Sequence, residues 1–424
     1  MQAHQLPVTC VAISDDGQVG FTGSKDCKII RWDLETGRRT FKFPGRRNTK
    51  AKKVNPLSTN FNTDQVLSLA LSDDNEYLAS GGKDRILRVW NPQSGKFLEK
   101  FKGHLGDITG IAFQRGGTHN LYTGSTDRTI KVWNIKDMAY VETLFGHQEP
   151  VYAVDSHRKE RCISVGHDDT ARLWKIPDEV QLILRAEKGV SLDCIAMIND
   201  QFFVSGSNQG TLSLWDIGKK KPIFSVRHAH AVDAEDEEDS DASSVHSEDE
   251  AVAWPERSPA KSAEPNWIAS VAAVRNGDVV ASGSCDGFVR LWQCILSTTA
   301  ADGSSQRRGL MLLCKIEVPG FVNGLCFSKS GARLIAGVGQ EHRLGRWWRN
   351  SMSRNSLWII DFKPRMHDSE DSSGDSDASD DGNDSESSSG KGDGDGSADG
   401  GDDDDDDDDD DDSDGDDDDS SDSD

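Results

Sequence analysis

Three stretches of this 424-residue chain carry the same four side chains at nearly the same offsets. They are His4, Thr22, Asp26 and Trp32; His104, Thr123, Asp127 and Trp133; and His147, Ser164, Asp168 and Trp174. Four further copies are more altered, and the seven Trp markers fall at 32, 90, 133, 174, 215, 292 and 347. Between Trp133, Trp174 and Trp215 the step is 41 residues. Buried polar groups must be paired, so such a set reads as one hydrogen-bonded chain in which the carboxylate orients the imidazole and the hydroxyl and indole N–H complete it. A repeat of this length is one supersecondary unit that cannot bury its apolar face alone, so the units must stack on one another.

The phrases Thr123–Trp133 (T-G-S-T-D-R-T-I-K-V-W) and Ser164–Trp174 (S-V-G-H-D-D-T-A-R-L-W), with Gly103-His104 and Gly146-His147 upstream, are identified as WD40 repeats. The expected fold is all-β, a seven-bladed WD40 β-propeller over residues 1–367. Strand alternation bounded by turns agrees, as in Val8–Ile13 before Ser14-Asp15-Asp16-Gly17. Blades 2 and 6 keep Ser80, Asp84 and Trp90, and Ser282, Asp286 and Trp292, with no His at the expected place. Blade 5 has Gln209 where the acid belongs, and blade 7 is read with Gly337, Glu341 and Trp347 at the three positions, so that Trp347 fills the core site. Longer steps between Trp markers place insertions at Phe43–Asp64, Arg227–Asn266 and Thr298–Gly309, and Ser356–Asp361 can supply one last strand. Only three residues precede His4, which leaves little upstream chain to overlap the final blade.

Charge divides the chain. Residues 368–424 hold 30 Asp and Glu against Lys391, a net −29, whereas the whole chain is −26, so residues 1–367 carry +3. Within them Asp233–Glu250 has ten acids and no Lys or Arg, which leaves the rest near +13. A segment built of Asp, Ser and Gly cannot bury enough apolar surface to fold, so the tail 368–424 is expected to be disordered, as is the acidic insertion 233–265. The tail can serve solubility alone, compete with nucleic acid for the basic body, or receive basic proteins. Ser240, Ser247 and Ser369 lie among acids and suit an acid-directed kinase.

Basic residues cluster in three places. Arg46, Arg47, Lys50, Lys52 and Lys53 lie in the insertion between blades 1 and 2, as a solvated surface, an import signal or a contact for RNA phosphates. Lys219–Lys221 sit in a turn. The string Gly337–Arg349 (G-V-G-Q-E-H-R-L-G-R-W-W-R) puts His342, Arg343, Arg346, Trp348 and Arg349 where an ordinary blade has a short turn. Planar guanidinium forks suit phosphates and an exposed indole can stack on a base, although Trp348 can equally pack beneath a neighbouring blade.

That string, with Gly103–Phe113 and Phe145–Asp155, resembles the family of WD40 subunits specific to the U3 small nucleolar ribonucleoprotein, over residues 4–362. The resemblance implies a nucleolar protein that binds U3 small nucleolar RNA beside a kink-turn-binding core protein, among other small-subunit processome proteins, in ribosomal RNA processing. The N-terminal extension usual in that family is absent here, and the Asp-rich tail is not part of its pattern. No signal peptide precedes His4, and no apolar run approaches the roughly 18 residues that span a membrane. The eight Cys contain no C-x-x-C pair and lie mostly in strands, which suits reduced thiols. With the His residues spread among blades, no metal, cofactor, small-molecule substrate or catalytic constellation is expected. The rival reading is a protein-only scaffold, a ubiquitin-ligase adaptor or histone-binding propeller.

Overall fold

A computed structural model of the chain describes residues 4–45, 59–231, 266–297, 307–345 and 349–362. The acidic insertion 233–265, the basic loop Arg46–Lys53, the tail 368–424 and Arg346, Trp347 and Trp348 lie outside the described residues. Among the described residues, twenty-seven strands form seven antiparallel sheets, six of four strands and one of three, each meandering in chain order. This is the seven-bladed propeller that the repeat requires.

The innermost strands of the blades ring a central channel, and adjacent blades bury their apolar faces against each other. Between blades 3 and 4, for example, Tyr122, Ile130 and Val132 meet Val151, Val154 and Trp174 in one buried cluster. The small residue after the repeat's hydroxyl has its cause here. A Cβ on Gly124 would stand 2.5 Å from Val154 Cγ2 and 2.8 Å from Val151 Cγ1, so blade 4 could not approach. Hydroxyls reinforce the seams, as where Ser270 Oγ donates to the Val322 carbonyl at 2.7 Å.

Each of blades 1–6 turns from its second to its third strand through one left-handed residue directly after the position of the repeat's acid. These are Cys27, Arg85, Arg128, Asp169, Gly210 and Gly287, with φ between 58° and 88°. The turn aims the preceding acid inward. Because the strands alternate in direction, these turns and the connections between successive blades open on one face of the disc, and the remaining hairpins open on the other.

Blade 7 departs from expectation. Its three strands are β25 (Phe321–Phe327), β26 (Arg333–Gly339) and β27 (Ser356–Asp361), and β27 is the third strand, not an added fourth. In blade 3 the marker Trp133 pairs with Leu121 across the sheet. The equivalent register in blade 7 pairs Leu334 with Ile360, so Ile360 stands at the core site that the spacing had given to Trp347. Trp347 instead belongs to the 340–355 segment between β26 and β27. The alignment by spacing fails because that segment lengthens a turn that is otherwise short.

The ring closes without strand exchange among the described residues. Val8, Val11, Ile13 and Trp32 of blade 1 pack on Ile335 and Leu357 of blade 7. Asn323 Nδ2 adds hydrogen bonds to the Val8 carbonyl at 2.8 Å and the Glu341 carbonyl at 3.0 Å.

Candidate nucleic-acid interface

The three full sets are built as their residue types require. In blade 3, His104 Nδ1 lies 2.9 Å from Asp127, His104 Nε2 lies 2.8 Å from Thr123 Oγ1, and Trp133 Nε1 donates to the same hydroxyl at 2.9 Å. Blade 1 repeats this with His4, Thr22, Asp26 and Trp32, and blade 4 with His147, Ser164, Asp168 and Trp174. Burial alone would raise the Asp127 and Asp168 carboxyls. Hydrogen bonds from the imidazole and from Thr129 or Thr170 outweigh it and hold both well below the usual carboxylate range. These acids are structural.

Blade 6 corrects the expectation that it lacks a His. His230, on the far side of the acidic insertion, places Nδ1 2.8 Å from Asp286 and Nε2 2.8 Å from Ser282 Oγ. Asn266 Nδ2 donates to the His230 carbonyl at 2.9 Å, which ties the two ends of the insertion together. The available signal was Ala229-His230, a variant of the Gly-His step, separated from its acid by 56 positions. Blade 2 does lack the imidazole, and Asn62 and Arg88 take its place: Arg88 Nη1 donates to Asp84 at 2.6 Å, while Asn62 Oδ1 accepts from Ser80 Oγ at 3.4 Å. Blade 5 keeps the Trp215 to Ser205 bond at 2.8 Å and leaves Gln209 exposed.

Glu341 is not a blade acid either. The buried Lys25 of blade 1 donates to Glu341 Oε1 at 2.9 Å and to the carbonyls of His342 at 2.7 Å and Gly345 at 3.0 Å. One ammonium thereby fixes the start of the blade 7 string across the ring seam. At its neck the Asn350 amide donates to the Gln340 carbonyl at 2.8 Å, and the Gln340 amide to Asn355 Oδ1 at 3.0 Å.

Arg343 turns inward. Its Nη1 donates to the Thr109 carbonyl at 3.4 Å, and its Nη2 to the Tyr152 and Asp193 carbonyls at 3.1 and 3.2 Å. These belong to the innermost strands of blades 3, 4 and 5, so one guanidinium from blade 7 spans the channel mouth. The cavity beneath it is small, about 160 Å³, and is lined by inner strands of the blades. His342 is buried beside it. Burial, with the charges of Arg343 and Lys25, pushes the imidazole down to about 3, so it is neutral at physiological pH. Arg349 alone of the described cations in the string is exposed, with Nη2 donating to Gln340 Oε1 at 2.7 Å.

Other sequence expectations have plain counterparts. Cys10, Cys162, Cys194 and Cys294 are buried free thiols, and burial pushes Cys10 and Cys294 up to about 12. Cys314 is exposed. Among the described residues the trio Asp74, Glu76 and His119 is close enough to meet a cation, yet it lies at the surface with His119 already on Asp74. No helix among the described residues is long and apolar enough to cross a membrane.

Comparison with known proteins follows the same lines. The family model "WD domain, G-beta repeat" matches residues 1–33, 53–91, 95–134, 138–175 and 260–293. The unmatched blades, 5 and 7, are those without an acid set. The chain is 42% identical over 364 residues to U3 small nucleolar RNA-interacting protein 2 of Homo sapiens, covering 86% of this chain and 68% of that protein. It is 41% identical over 359 residues to the U3 snoRNP-associated protein-like YAOH of Oryza sativa subsp. japonica, covering 84% and 67%. The solved structure of U3-55K superposes with a TM-score of 0.70 at 41% identity, over 85% of this chain and 97% of that one.

Proposed function

Because this chain belongs to the WD40 family of U3 small nucleolar RNA-interacting and U3 snoRNP-associated proteins, we propose that it is a non-catalytic, RNA-binding subunit of the U3 small nucleolar ribonucleoprotein. It acts in the nucleolus on ribosomal RNA processing for the small subunit, beside a kink-turn-binding core protein and other processome components. The RNA lies on the face that carries the turns after each acid and the connections between blades. What carries this reading is the blade 7 string. Two cations, the buried Lys25 and the half-buried Arg343, are committed to holding it in place across that face. That arrangement leaves Arg349 outward and makes the string a preorganised platform. Arg346, Trp348 and the basic loop Arg46–Lys53 add phosphate contacts and stacking. Phosphate contacts position the RNA and do not choose it, so selection falls to the core protein and to base contacts.

Arg343 is the anchor of the platform here, and its guanidinium reaches carbonyls in preference to phosphates. The same anchor weighs against a scaffold that threads a histone-like peptide through the channel, since the peptide would have to displace it. Crosslinking the protein in cells and sequencing the attached RNA tests the proposal. U3 RNA should dominate, with crosslinked peptides from 340–355; crosslinks to protein alone would refute it.

A further inference from the structure

Beside the Arg343 staple, the same face carries a cavity of about 350 Å³ whose walls include Tyr152, His167, Asp193, Asn208, Trp267 and His342. That is the lower end of the size range of small-molecule sites. Its walls are two aromatic pairs. Tyr152 and His167 meet edge to face with centroids 6.1 Å apart, and Trp267 and His342 stand 5.4 Å apart at 58°. Leu344 from the string completes the apolar lining.

The polar groups are few and not all satisfied. Asn208 engages Oδ1 with the Ser191 amide at 3.1 Å, and its Nδ2 has no partner among the described residues. Asp193 accepts from Ser191 Oγ at 2.7 Å through Oδ1, which leaves Oδ2 available. The Tyr152 hydroxyl has no hydrogen bond among the described residues. A side-chain amide donor, a carboxyl acceptor and a hydroxyl that does both are therefore set between π faces. That is the complement of the edge and face of a nucleobase, which presents donors and acceptors around a planar ring.

Charge narrows the choice. His342 is neutral, and the nearest full positive charge is the Arg343 guanidinium, bonded to the Asp193 and Tyr152 carbonyls of the cavity's own inner wall. The Arg343 guanidinium offsets the pull of the Asp193 carboxyl on an entering cation such as a methylated lysine, whereas a neutral base needs no charge partner there and its trailing phosphates would gain from the guanidinium. We propose that this cavity receives a single unstacked nucleobase of the bound RNA, stacked among Tyr152, His167 and Trp267 and hydrogen-bonded by Asn208 and Asp193. The proposal rests on the RNA-binding reading above and adds to it a point of base recognition, which phosphate contacts alone cannot supply.

The test uses the full chain and transcribed U3 small nucleolar RNA, in parallel with a set of the same RNA carrying an abasic site at each unpaired position in turn. Tyr152→Ala should weaken binding by about five- to 150-fold, the range expected for losing one base–aromatic stack. One abasic RNA should lose a similar factor with the parent protein and lose nothing more with the variant. Because Tyr152 is half-buried, a second variant, His167→Ala with Asn208→Ala, alters only exposed turn positions and should show the same coupling to the same nucleotide. If the parent protein does not bind U3 RNA, the RNA-binding reading falls and this one with it. If the parent binds with steep salt dependence while every abasic RNA and both variants match it, the base pocket alone is overturned. Equal weakening of a fully paired duplex would overturn it too, since a duplex offers no free base.

Discussion

Replacing Lys25 by Met should open the ring at the joint between blades 1 and 7. The ammonium is 2.9 Å from Glu341, with both side chains nearly inaccessible at 3% and 6% exposure, and it also donates to two carbonyls of the string. Removing one member of a buried pair costs about 3–5 kcal/mol, chiefly because the other charge stays buried. Met keeps the length and apolar stem of Lys, so the lower end, about 3 kcal/mol, is expected. Against a total stability of roughly 5–15 kcal/mol this is a large fraction. Urea unfolding followed by fluorescence of the Trp residues reads it directly. With a slope of about 3 kcal/mol per molar, the midpoint should fall by about 1 M. Lys329→Met is the control, because Lys329 pairs with Asp15 at 3.4 Å with its side chain 64% exposed. Exposed pairs contribute about 0–1 kcal/mol. The double variant Lys25→Met with Glu341→Gln should recover part of the loss, since a neutral amide is less costly to bury than a carboxylate. If Lys25→Met matches Lys329→Met, the ring is held by apolar packing alone and the reasoning fails.

Asp127→Ala removes the acceptor for His104 Nδ1, the Leu105 amide and the Thr129 amide and hydroxyl, and should destabilise the propeller by about 1–3 kcal/mol; an unchanged urea midpoint would contradict the role given to the acid. Since the Asp26, Asp127 and Asp168 carboxyls sit below their ordinary range, their contribution is complete above the unfolded pKa of about 4 and is lost as pH falls through the lower folded values. Stability measured against pH should therefore fall below about pH 4 on their account, and Asp127→Ala should make that fall shallower. Deleting residues 368–424, which carry −29, should leave the melting curve intact and raise non-specific RNA affinity at low salt. A truncated protein that unfolds, or binds no more tightly, would contradict this. Changing Arg46, Arg47, Lys50, Lys52 and Lys53 together should weaken all RNAs about equally in a competition assay, because phosphate contacts carry no sequence information.

Most of the fold was legible because the repeat fixes residue types by chemistry. A buried imidazole demands its acid and hydroxyl, so His104, Thr123 and Asp127 could be joined from spacing alone. Legibility ended where insertions broke the spacing. His230 serves blade 6 across the acidic insertion, and a window of one repeat cannot see it. Trp347 matched the marker's spacing by coincidence of a long turn, while the sheet register gave its place to Ile360. The site was less legible for a different reason. Arg343 reads in sequence as one more surface cation, but its three partners are backbone carbonyls, which have no sequence signature. Lys25 was invisible for the same cause, since two of its three acceptors are main-chain oxygens and the third comes from the other end of the propeller. The cavity walls come from blades 4 to 7, so no single motif could have gathered them.

The central claim, that the blade 7 string binds U3 RNA, is tested most directly by the salt dependence of that binding. Arg346→Ala with Arg349→Ala spares the Arg343 anchor and should keep the parent's melting curve. Plotted as log affinity against log salt for U3 RNA with its core protein, the variant's line should be shallower by up to about 0.7–0.9 for each RNA phosphate that the protein no longer neutralises. Affinity at physiological salt should fall with it. A folded variant whose line superposes on that of the parent would show that the string is a packing element and that the RNA lies elsewhere on the ring.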